Sequence, residues 1–251
     1  MINIIRNTVL SIISKDNRGY VTPEEFNLFS RQAQLDIFTQ YMYDLNNAII
    51  KQNARLNGGS GYSNVPAQLT EVLDKFLVED VLEYDATTLK FYMPSDNPAQ
   101  PDEPAAYKLE RLTYNGSREI EKVSHTKALN LVSSNLTAPT LLFPVYTLNE
   151  NGISGQASIQ IYPTSIVAGD VTISYLRYPR DPKWTYDPTL LTGGEPIFNQ
   201  SMSDFQDFEI PISDSVRLIT LICKYAGVSV REGDVVTAMA NDDTMNQQQK
   251  A

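Results

Sequence analysis

One histidine, His125, and one cysteine, Cys223, limit nucleophilic and metal chemistry in this 251-residue chain. Zinc sites of the usual kind draw on several His and Cys ligands, which the chain does not have. His125 lies in the polar run KVSHTK with no nucleophile elbow, so it reads as a solvated helix residue rather than a general base. Cys223 falls inside the apolar run from Leu218 to Ala226, where a buried, inert thiol is expected and no internal disulfide can form. Carboxylates are plentiful: Glu24-Glu25, Glu79-Asp80, Asp204/Asp207/Glu209 and Asp242-Asp243. Two such acids can perform glycosidase chemistry, but their separation in space decides it. Solvated acids are the plainer expectation. No catalytic, metal or cofactor residue is assigned.

With 42% hydrophobic and 20% charged residues, wholesale disorder is excluded. The length suits one large or two modest domains. A formal net charge of −10 repels phosphate and anionic membrane, which argues against a protein that grips DNA. It does not exclude a protein that surrounds DNA without holding it. No apolar run reaches a membrane span. The Ile-rich N-terminus is interrupted by Arg6, Asn7 and Lys15 and lacks a signal-peptide pattern. Synthesis in a reducing, cytoplasm-like compartment is expected.

The positioning elements follow from periodicity. Ile2, Ile5, Val9, Ile12 and Ile13 predict an amphipathic helix over 2–14. The following SKDNRGYVTPEEF matches half of an EF-hand only superficially. Aligning Gly19 and Glu25 with the loop puts Arg18 at a ligand position, and a guanidinium cannot hold calcium. The same letters predict a helix start, with Thr22 as N-cap, Pro23 at N1 and Glu25 closing a capping box. That helix runs over about 23–56. Phe26, Phe29, Ala33, Ile37, Tyr41 and Ala48 form one stripe; Leu35, Phe38, Met42, Leu45 and Ile49 form a second with the steps of a helix–helix seam. Two stripes mean burial on two sides. The second side is either the chain's own core or another subunit.

Asn57 to Gly61 ends this helix and resembles no phosphate loop. Helix resumes over 65–77. Thr88 to Met93 then reads as a strand with Leu89, Phe91 and Met93 on one face. A polar, proline-rich loop over 95–106 leads to a returning strand, Tyr107 to Tyr114, with Asn115-Gly116 as a turn. A short helix or helix pair follows over 119–134, then a strand-like run from Ala138 to Leu148 broken by Pro144. A second hairpin over 157–178 has Ala168-Gly169-Asp170 at its turn. After an extended crossing, Ser213 caps a last long helix that Gly227 ends, and 231–248 predicts one more. The fold class is therefore α+β: N- and C-terminal helices with a long central helix, plus an antiparallel β-rich domain. The domains are a helical part over 1–78, a β-rich part over 79–185, and a crossing with C-terminal helices over 186–251 that returns to the helical part.

The exit YLRYPRDPKW concentrates Tyr175, Arg177, Tyr178, Arg180 and Trp184, the residue types enriched at interface hot spots. It is either a contact surface, the reading favoured here, or a strand end whose rings cover the local core. On the first reading Trp184→Ala weakens assembly and leaves the subunit folded.

Three stretches resemble a family of head–tail connector rings in crAss-like bacteriophages: GYVTPEEFNLFSRQAQLDIF, IQIYPTSI…VTISYLRYPRDPKW and FEIPISDSVRLITLICKYAGVSVREGDVV. Together they span most of the chain. The resemblance implies a non-enzymatic virion protein made in the bacterial host cytoplasm. It would form a homo-oligomeric ring, twelve-fold on the portal's axis, between the portal protein and neighbouring ring or tail proteins, and pass genomic DNA without sequence-specific binding. No individual residue role transfers. The residues themselves offer Leu35, Phe38, Met42, Leu45 and Ile49 with the YLRYPRDPKW exit as subunit contacts. Two other classes fit the same composition: a receptor- or glycan-binding fibre or baseplate protein, and a virion glycoside hydrolase using two of the acids.

Overall fold

The computed structural model describes residues 1–14, 21–53, 65–94, 105–149, 157–187 and 196–229. The loop over 95–104, the helix ends over 54–56, the glycine-rich 57–61, most of the EF-hand-like loop, the helix expected over 231–248 and Asp242-Asp243 lie outside the described residues. The fold is α+β, as its element order states: α1 Ile2–Ser14, α2 Pro23–Asn53, α3 Val65–Leu73, β1 Leu77–Val81, β2 Glu83–Asp85, β3 Lys90–Tyr92, β4 Ala106–Tyr114, β5 Arg118–Glu119, β6 Glu121–Lys122, α4 His125–Val132, β7 Val145–Asn149, β8 Ser158–Tyr162, β9 Val171–Arg177 and α5 Ser215–Ser229. The chain divides into two units, one of Met1–Val72 with Pro179–Ala251 and one of Leu73–Tyr178.

In the helical unit α5 packs against both α1 and α2. Ile2, Ile5 and Val9 are buried on α1, Phe26, Ala33, Ile37 and Phe38 on α2, and Leu218, Ile222 and Ala226 on α5. The start of α2 is a capping box. The Thr22 amide donates to Glu25 Oε2 at 2.9 Å, and the Glu25 amide donates to Thr22 Oγ1 at 3.2 Å. Val21 and Phe26, the positions of a hydrophobic staple, are both buried. Two bonds tie α2 to α5 and the turn leading into it: Tyr225 of α5 donates to Asp36, and Tyr41 donates to Asp214 of the turn. Helix α5 begins after a single 3-10 turn at Ile212–Asp214 and continues through Gly227, so that glycine does not end it.

The β unit is two sheets over one core, in the orders β1-β9-β4-β5 and β2-β3-β8-β7-β6. Phe91, Leu112, Ile120, Tyr146, Ile159, Ile161, Val171, Ile173 and Tyr175 from both sheets fill it. Neither expected hairpin forms. β3 pairs with β2 and β8, while β4 pairs with β9 and β5. β8 and β9 also stand in different sheets. The eight residues between them are too many for a tight two-residue turn, and Ile166 among them is buried in the shared core. The connection is an arch carrying an apolar plug.

Smaller differences have local causes. Leu89 takes a left-handed φ of 55° in the β2–β3 turn and is exposed, so only Phe91 of its expected face is buried. The helix expected over 65–77 stops at Leu73, and Leu77 opens β1 instead. The 119–134 stretch yields two short strands before α4, whose N-cap Ser124 accepts from the Lys127 amide. Asn115 and Gly116 do form the β4–β5 turn, both at positive φ, where side chains other than Asn and Asp are disfavoured.

Candidate interaction surface

The exit from β9 is consumed inside its own chain. Tyr175 is buried in the sandwich core. Arg177 is half-buried, its guanidinium 5.7 Å from the Phe76 ring centroid, and Tyr178 meets Tyr107 edge-on at 5.1 Å. From Pro179 the chain belongs to the helical unit, where α2 grips its backbone through two amide side chains. Gln34 Nε2 donates to the Arg180 carbonyl at 2.7 Å, and Gln34 Oε1 accepts from the Glu209 amide at 3.1 Å. Asn27 Oδ1 accepts from the Trp184 amide at 2.8 Å, and Asn27 Nδ2 donates to the Trp184 carbonyl at 3.2 Å. Asn27 and Gln34 are seven residues apart, two turns on one helix face. Arg31 between them reaches Asp181 at 3.1 Å, both largely exposed. Such an exposed pair contributes little beyond about 0–1 kcal/mol.

Trp184 is 1% exposed. Its indole stacks with Tyr186 and Phe198, each 5.8 Å away, lies under the Arg6 guanidinium at 3.9 Å, and donates to Asn3 Oδ1 at 3.1 Å. It is a core residue of the helical unit. The expectation that Trp184 meets a partner is corrected by this burial: an indole 1% exposed has no surface to offer. Arg180 is exposed, but its backbone is spoken for by Gln34 and by Glu209, whose Oε2 accepts the Arg180 amide at 2.9 Å. Gln34 is buried, so Gln34→Leu strands the Arg180 carbonyl and the Glu209 amide. We expect a loss of about 2–6 kcal/mol in urea unfolding, at roughly 1–3 kcal/mol for each of the two stranded groups. A change below 0.5 kcal/mol would show that water replaces the amide.

The second stripe of α2 splits along its length. Phe38 is 0% exposed, Leu35, Met42 and Leu45 are half-buried, and Ile49 is exposed. Beside Ile49 stand Tyr43 and Ile50, 61% and 53% exposed. Seven residues apart, they share one face. The sequence reading passed over both because neither falls on a stripe that also holds buried residues. A second apolar surface, on the β unit, was missed as well. In the turn after α4, Leu136 is 95% and Phe143 is 78% exposed, with Leu141 and Leu142 also exposed.

Several of the acids that sequence left open for chemistry have structural partners. Asp207 Oδ1 accepts from the Ile2 amide at 2.8 Å and Oδ2 pairs with the Met1 amino group at 2.7 Å, capping α1 where anions are favoured. Lys183 sits 2.5 Å from Asp204, and its hydrogen bond holds that carboxyl below the usual range. Glu79 accepts from the Ser174 hydroxyl at 3.3 Å. Burial pushes the Cys223 thiol up to about 11. His125 is exposed at the start of α4. Among the described residues no group of three or more His, Cys, Asp and Glu is placed to hold a metal, and no helix is long and apolar enough to cross a membrane.

Burial first, then the bond to Asp214, raises the Tyr41 hydroxyl well above its ordinary 10.0. An unfolded tyrosine therefore loses its proton first. This contribution is intact below pH 10 and declines as pH rises above it, by up to about 1.4 kcal/mol per pH unit for one proton. Subtracting the alkaline stability profile of Tyr41→Phe from that of the wild type should expose this slope; parallel profiles above pH 10 would refute it.

Set beside known proteins, the chain matches no family model and no curated protein.

Proposed function

We propose that this chain is a structural ring protein of a tailed-bacteriophage virion, seated in the neck between portal and tail and enclosing the path of the genome. One observation carries the reading: the C-terminal half of α2 leaves Tyr43, Ile49 and Ile50 exposed, while Phe38 nearer its start is fully buried. Exposed apolar residues grouped on a rigid helix mark a protein–protein contact. A cyclic ring needs a heterologous contact, in which this face meets a different face of the next copy. The three stretches that resemble crAss-like connector rings support the place in the virion, and the net charge of −10 suits a wall that lets a polyanion pass without holding it.

On this reading the protein binds no cofactor and catalyses no reaction. Its partners are further copies of itself, twelve in the ring, with the portal and the adjoining tail proteins. A reconstruction of the particle's neck tests this directly. The expected result is density for this chain in a closed ring with the portal-side copy number. Density in a peripheral fibre, or in a trimer away from the axis, would replace the ring reading with receptor binding.

A further inference from the structure

We infer that the β sandwich supplies a second ring contact, in which the open edge of β1 pairs with the open edge of β4 in the next copy; this rests on the ring reading above. Single buried residues, Leu82 between β1 and β2 and Ile120 between β5 and β6, carry the chain from one sheet to the other. One lateral side of the sandwich therefore ends in β1 and β2, and the other in β4, β5 and β6. Among the described residues β1 pairs with β9 alone. The Leu82 amide donates to the Val171 carbonyl on the β9 side, so Glu79 and Val81 turn their backbone groups outward. On the far side β5 pairs with Thr113 and Tyr114, which leaves Ala106 to Arg111 of β4 without an outer strand. The five residues of β1 match that gap in length. Both strands run antiparallel to β9, so head-to-tail repetition sets them side by side in parallel.

Charge selects a second copy's opposite edge as the occupant. From Asp74 to Lys90 the chain holds five acids, four of them on β1 and β2, against two lysines. From Ala106 to Lys127 it holds five bases against three acids. Each of those acids already has a base: Glu110 has Lys108, Glu119 has Arg111 and Glu121 has Lys127. Lys122 has no acid among the described residues. It lies with Leu109, Leu112 and Tyr146 on a cleft of about 460 Å³ lined from both sheets. Asp80 shares the core-facing side of β1 with Val78. A sheet that continues head to tail keeps that side over the cleft, where Asp80 meets Lys122. Two bulges bend β4 along its open edge, and bulges and charges keep an edge from joining its own kind. Like edges repel and unlike edges attract, which gives the head-to-tail contact of a closed ring.

Two variants of the full chain test this, Val81→Cys on β1 and Glu110→Cys on β4. Cys223 is buried, so each variant carries one reactive thiol and any covalent pair joins two copies. Mixed before assembly and treated with a short bismaleimide, they should give a covalent dimer that neither gives alone. Glu79→Lys with Asp80→Lys should raise the concentration at half-assembly about tenfold or more, the low end of coupling between close charge pairs. The unfolding midpoint should be nearly unchanged. Adding Lys108→Glu and Lys122→Glu to the same chain should recover most of that loss. Rings that form by mass without the mixed dimer, or without the recovery, would overturn this inference and leave the ring reading standing. A dimer from Val81→Cys alone would overturn it in favour of a like-with-like contact. A monomer at every concentration would remove the ring reading together with the inference.

Discussion

Replacing Trp184 with alanine should cost the helical unit about 3–5 kcal/mol, the range for deleting a large buried aromatic. The indole is 1% exposed and stacks with Tyr186 and Phe198. Its removal also strips the Arg6 guanidinium of a ring at 3.9 Å, a contact that compensates a buried cation, and leaves Asn3 without the indole donor. Trp184→Phe keeps a ring in the stack and loses only the Asn3 bond, so it should fall between wild type and alanine. Circular dichroism in urea reads both, since the chain's single tryptophan cannot serve as the probe in its own absence. An unchanged midpoint with lost assembly would return the indole to an interface.

The second large effect is on association rather than folding. Ile50→Asp with Tyr43→Asp places two charges on the exposed face of α2. Substitutions at exposed positions usually change stability by within about 0.5 kcal/mol, so the monomer should unfold almost as before. Subunit association should weaken by about 2 kcal/mol or more, the loss of a contact hot spot. Phe38→Ala is the opposite control. It lies on the neighbouring stripe but is 0% exposed, so it should cost about 3–5 kcal/mol of folding free energy. Comparing the three variants separates a face that meets a partner from one that meets its own core.

Signals confined to a few residues were legible in the sequence. The capping box of Thr22 and Glu25 needs only residues three apart, and its reciprocal bonds are present. Likewise α1 reads directly from its isoleucine spacing, and the Asn115-Gly116 turn from the φ those residues tolerate. Strand partnership was not legible. The alternation in β8 and β9 is the same whether they form a hairpin or face each other across a core; what separates the two is the eight-residue connection and the burial of Ile166 in it.

The candidate surface was legible in part. Helical periodicity located the second stripe of α2, but not the point between Phe38 and Ile49 where burial gives way to solvent. That point depends on where the packing helix stops. The Asn27–Gln34 clamp was invisible because two amides seven residues apart look like any polar helix face until a backbone lies across them. Trp184 misled for a related reason: an aromatic beside arginine and proline has the composition of a hot spot and of a buried stack alike.

The claim that this chain closes rings through α2 is tested most directly by the mass of the purified protein over a range of concentrations. Sedimentation should resolve a discrete high-mass species of fixed copy number, in exchange with monomer and lost in Ile50→Asp with Tyr43→Asp. A single species at the 28.1 kDa of one chain at every concentration, with wild type and variant alike, would contradict it.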